Sequence, residues 1–147
     1  MAELKWTPLL VEEQLAEAAE VLKRLPNVTV QGYASTWPPY VREYWESYGV
    51  AEVTLRRPPP SAAAITRMDQ ALPWLTWLDA DDAKIVWLRA NGKPWKAICW
   101  DVGMHRSAAH QHWIYGLCVI AWRLQGHTVP TKRSRQFLID RVQAESR

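Results

Sequence analysis

Residues 83 to 125, AKIVWLRANGKPWKAICWDVGMHRSAAHQHWIYGLCVIAWRLQ, read as three helices whose last two form a helix-turn-helix. Gly103 marks the turn, because glycine enters left-handed dihedrals without a Cβ penalty where the chain must reverse sharply. Ile98 and Val102 precede it and Met104 and Ala109 follow it, at spacings that let a short helix and a longer one share apolar contacts. At 100° per residue, Ala109, Trp113, Leu117, Ile120 and Leu124 recur every three or four positions and form the expected buried stripe of the longer helix. Ser107, His110 and Gln111 fall on the other side near its start, with Arg106 on the flank. Those positions present side chains to a major groove when such a helix binds duplex DNA. Arg suits guanine O6 and N7, Gln suits adenine N6 and N7, and Ser suits a base or a phosphate. Arg106, Ser107, His110 and Gln111 are therefore the expected base-reading residues, and double-stranded DNA the expected partner.

Charge supports the same partner. Residues 1 to 82 hold seven Lys and Arg against twelve Asp and Glu, a balance of −5, whereas residues 83 to 147 hold eleven against three, a balance of +8. A basic half that coincides with the helix pair is what phosphate neutralisation requires, since each cation bound to a duplex releases condensed counterions. Lys93 and Lys96 frame the short helix and are expected on phosphates, with Trp95 at the same edge and Lys132, Arg133 and Arg135 further along. Ordinary solvated cations are the competing reading for the lysines.

The 147 residues fit one domain: an acidic helical part at 1–78, the helix-turn-helix module at 79–126 and a basic segment at 127–147. Thr7 and Pro8 open an amphipathic helix that runs to Leu25, with Leu10, Leu15, Ala18, Leu22 and Leu25 on its dry side. Residues 27 to 39 read as an irregular link, Tyr40 to Tyr48 as a short aromatic helix stopped by Gly49, and Pro58 to Pro60 as a stiff spacer. Ser61 caps a helix carrying Ile65, Met68, Leu72 and Leu75, which Pro73 should kink or end. Asp79, Asp81 and Asp82 place negative charge at the start of the next helix, favourably for its dipole. After His127 the basic cluster and Phe137, Leu138 and Ile139 make either a DNA-grasping tail or an end folded back through Phe137. The expected fold is all-α, an orthogonal helical bundle containing the helix-turn-helix.

Ten tryptophans run from Trp6 to Trp122, and core packing is their ordinary use; among them only Trp95 stands at a DNA-facing edge. Cys99 and Cys118 lie among apolar residues inside expected helices, which predicts buried thiols in a reducing, cytoplasmic setting. The start of the chain lacks the pattern of a secretory leader, and no apolar run approaches the roughly 20 residues of a membrane span, so no membrane is expected as a partner. No Gly-rich phosphate loop, nucleophile elbow or His-Glu metal motif occurs, and Glu43 and Glu46 read as a solvated edge; catalysis is not expected. His110 and His112 point about 200° apart, so no metal and no cofactor is expected, and His112 reads as a structural histidine beside the buried stripe.

Residues 83 to 125 resemble the region 4 helix-turn-helix of bacterial sigma factors, in which a first helix is followed by a Gly-containing link, a short helix, a Gly turn and a long reading helix. The whole chain, with WTP at its start, RRPPPSAAAI in its middle, PWKAICW and KRSR near its end, also resembles an uncharacterised family of small phage and prophage proteins. The first resemblance implies a DNA-binding transcription regulator, and the second carries little function with it. A small terminase subunit or a protein-binding module that kept the shape without the DNA surface are the alternatives. RNA polymerase, another phage protein and a second copy of the chain stay open as further partners. Region 4 modules place Ser or Thr where this chain has His105, a poorer cap, and carry Lys or Arg where it has Gln111 and His112.

Overall fold

The computed structural model of the chain describes residues 5–25, 41 and 58–146, and among these every regular element is helical. The first helix, α1, spans Pro8–Arg24; the Thr7 side chain accepts from the Leu10 N–H and Pro8 sits where no helical N–H is needed. Val11, Leu15, Ala18, Ala19 and Leu22 are buried, so the dry face is centred beside the stripe that the leucines alone trace, and Leu10 and Leu25 are only half-buried. Helix α2, Ala62–Ala71, starts on Ser61, whose hydroxyl accepts from the Ala64 N–H. Pro73 then ends the α-helical bonding, and Leu72–Trp77 continue as a tighter 3₁₀ turn. The expected link at 27–39 and the aromatic helix at Tyr40–Tyr48 lie outside the described residues, apart from Val41, which is helical and buried.

Three further helices follow in the quoted stretch and after it: α3 (Ala80–Ala90), α4 (Trp95–Val102) and α5 (Arg106–Leu124). Helix α5 is the hub, packed against α1, α3, α4, the 3₁₀ turn and the last helix, α6 (Arg135–Glu145). The single-stripe expectation holds only for its first half, where Ala109 is buried and Trp113 half-buried. From Gly116 to Ala121 every residue is buried, because α1, α3 and α6 cover the helix from several sides. Gly116 permits that closeness: a Cβ there would stand 2.8 Å from Cγ2 of Val86 on α3.

The C-terminal segment is neither a loose tail nor anchored through Phe137. Ser134 caps α6 by accepting from the Phe137 N–H, and Leu138, Ile139 and Val142 are buried in the main core while Phe137 is exposed. The reason is helical phase, since Leu138, Ile139 and Val142 share one face and Phe137 leaves from its edge. Most described tryptophans are buried or half-buried, Trp6 meeting Trp74 edge-to-face at 5.2 Å between centroids. Cys118 is buried and its thiol is pushed up to about 12 by desolvation, whereas Cys99 is half-buried. No helix among the described residues is long and apolar enough to cross a membrane.

Candidate nucleic-acid interface

Helices α4 and α5 are joined by three residues, and the turn depends on Gly103. Its φ of 69° and ψ of 34° are left-handed, and the amides of Gly103 and Met104 both donate to the Cys99 carbonyl, at 2.9 and 3.2 Å. These bonds close the last turn of α4 while the chain redirects. The pair shares a small core with α3, made of Ile85 and Leu88 from α3, Ile98 from α4 and Ala109 from α5, flanked by Trp95, Cys99, Val102, Met104 and Trp113. The apolar residues spaced about Gly103 in the sequence therefore meet in space. His105 stands at the N-cap of α5 in extended conformation without a side-chain hydrogen bond to the helix.

Of the expected base-reading residues, Arg106, Ser107 and Gln111 are exposed on the first turns of α5. His110 is exposed as well, but its ring lies 5.5 Å from those of both Trp95 and Trp113, as part of an aromatic cluster. Trp95 departs from the edge position expected of it. It is half-buried, meets Trp113 edge-to-face at 5.5 Å and carries the Arg89 guanidinium 5.0 Å from its centroid. An indole wedged between α3 and α5 has little face left for a ligand.

The expected phosphate cations divide in two. Lys93 is half-buried and its ammonium pairs with the Asp101 carboxylate, which holds that acid below its usual range. Arg135 folds onto α5, with Nη1 2.8 Å from Nδ1 and 3.1 Å from Nε2 of His112 and the guanidinium 5.4 Å from the Tyr115 ring. Each thus has an internal partner within reach, although Arg135 remains exposed. Lys96, Arg106, Lys132 and Arg133 are exposed, and none has an acidic partner among the described residues, Arg133 resting 5.0 Å from the Phe137 ring.

Two residues gain a prominence that the sequence reading did not give them. Asp82 is 1 % exposed and its carboxylate bonds Nδ1 of His112, which Arg135 covers in turn, so one polar cluster ties α3, α5 and α6 together. Its spacing carried the signal, since Asp82 lies three and four residues before buried Ile85 and Val86. Trp100 is 88 % exposed on α4. A helical projection about Ile98 would have placed it outward. Among the described residues no group of three or more His, Cys, Asp or Glu is placed to hold a metal ion.

The fold and site together define a class: an all-helical protein with a glycine-turned helix pair, an exposed polar helix start and exposed cations on α4 and just ahead of α6. The chain belongs to the family described as domain of unknown function (DUF6362), which matches residues 23–120. That span includes α2 to α4 and most of α5. No curated protein and no solved structure matches the chain.

Proposed function

We propose that α4 and α5 form a helix-turn-helix within an orthogonal helical bundle, and that the chain binds duplex DNA as a transcription regulator of phage type. One observation carries the reading. The helix pair turns at Gly103 and packs with α3 into a small separate core, while Arg106, Ser107 and Gln111 stay exposed where a reading helix would enter a major groove. Lys96, Lys132 and Arg133 are exposed cations available for phosphates. His110 contributes less than its position implies, because its ring leans on Trp95 and Trp113.

Selection from random duplexes tests this. The parent should enrich a defined motif, Arg106→Ala should weaken the preferred site by about 1–3 kcal/mol and flatten one base position, and Lys96→Ala should weaken all sites alike. A triple Arg106, Ser107 and Gln111 alanine variant that returns the parent's motif would show that this helix does not read bases. Unchanged DNA mobility at low salt would move the assignment to a protein-binding module.

A further inference from the structure

Among the described residues Trp100 is the one exposed tryptophan, at 88 %, and its position is geometrically determined. Ile98 is fully buried beneath α4, and two residues along a helix rotate by about 200°, so Lys96 and Trp100 leave on the side opposite it. Four residues apart, they are surface neighbours. Asp101, the one acid on α4, is held by Lys93, and Lys96 has no acidic partner among the described residues. The outward face of α4 is thus one open indole beside one open ammonium.

We infer that Lys96 and Trp100 form a stacking platform for an unpaired base, which extends the DNA reading above, on which it rests, to single-stranded nucleic acid. The chemistry of the face selects that occupant. A standard protein interface covers roughly 800 Å² and about 20–30 residues a side, whereas the exposed residues of α4 are Lys96, Trp100 and Asp101, a single ring among charges. A duplex presents phosphates at its walls and hides the faces of its bases, so an indole gains little there. An unpaired nucleotide offers both a flat π-face for Trp100 and a phosphate for Lys96.

The test is anisotropy with a short labelled oligothymidylate at low salt, its abasic counterpart, and a duplex carrying the selected motif. The parent should bind the oligothymidylate. Trp100→Ala should weaken that binding roughly 5- to 150-fold, Trp100→Phe should keep most of it, and the abasic strand should bind the parent as weakly as oligothymidylate binds Trp100→Ala. Melting temperature and Arg106-dependent duplex binding of Trp100→Ala should match the parent. Equal affinity of parent and Trp100→Ala for the strand, or equal affinity of the parent for the base-bearing and abasic strands, overturns the platform. So does a parent that binds no strand, or a variant with unchanged strand affinity and a lower sedimentation coefficient, which would make Trp100 a contact between copies. Loss of Arg106-dependent duplex selection with strand binding intact removes the helix-turn-helix reading alone.

Discussion

Asp82 sets two forces against each other at a single carboxyl group. Burial pushes its pKa upward from the ordinary value of 3.8, while the hydrogen bond from His112 and the electrostatic attraction of His112 and Arg135 pull the other way, and burial prevails. A folded pKa above the unfolded one means that the folded chain binds the proton more tightly. The group's contribution to stability is therefore complete below the unfolded pKa and lost as pH rises through the folded one. Asp82→Asn keeps an oxygen that accepts from His112 Nδ1 but has no charge to desolvate. Measured by urea denaturation, the stability of the parent relative to this variant should fall as pH rises from about 3 to about 6. A relative stability that rises over that range would show that the cations, not burial, control this carboxyl.

Two glycines separate backbone from packing at the scale of the element. Gly103 has φ of 69° and nothing within 4 Å of a Cβ built on it, so Gly103→Ala meets only the left-handed backbone penalty, about 1–2 kcal/mol. Gly116 is helical, where alanine is intrinsically better by about 1 kcal/mol, yet the new methyl would press on Val86 at 2.8 Å and Leu78 at 3.3 Å. Val86 is β-branched and buried, so it cannot swing aside, and overpacking of about 1–3 kcal/mol outweighs the gain in propensity. Thermal melts should show both alanine variants destabilised. Pairing Gly116→Ala with Val86→Ala should recover stability relative to Val86→Ala alone, and no such rescue should occur for Gly103→Ala. Rescue of both, or of neither, would refute the assignment.

For the whole molecule, the C-terminal helix decides how the charge asymmetry can be used. Removing residues 130–147 strips Leu138, Ile139 and Val142 from the main core, at about 1.5–3 kcal/mol per side chain. Against a typical total of about 5–15 kcal/mol, the truncated chain should lose most of its cooperative thermal transition. A truncated chain with the parent's melting temperature would mean that α6 is an appendage. On the proposed DNA-binding reading, the phosphate contacts fall to Lys96, Arg106, Lys132 and Arg133, exposed cations without a polar partner among the described residues, so duplex affinity should fall with a slope of roughly −3 to −4 in log K against log salt. Lys132→Ala should reduce that slope by about 1, and Lys93→Ala should leave it nearly unchanged because its ammonium is already paired with Asp101. A salt-independent affinity would remove the electrostatic argument.

Local chemistry is what the sequence alone could determine here. Thr7 and Ser61 as caps, Pro73 as a helix stop, Gly103 as a left-handed turn and the apolar positions around it each act within a few residues, where spacing and dihedral preference are sufficient. The exposure of Arg106, Ser107 and Gln111 follows from the same periodicity. What only the tertiary structure decided is where long side chains find partners. Lys93 meets Asp101, Asp82 meets His112 under Arg135, and Trp95 is enclosed by Arg89, His110 and Trp113. Several of these contacts join residues far apart in the chain, and a charged or aromatic side chain reads alike in sequence whether it faces water or a neighbour. The all-round burial of α5 has the same origin: periodicity reports one dry face, and only the packing of α1, α3 and α6 around one helix adds the others.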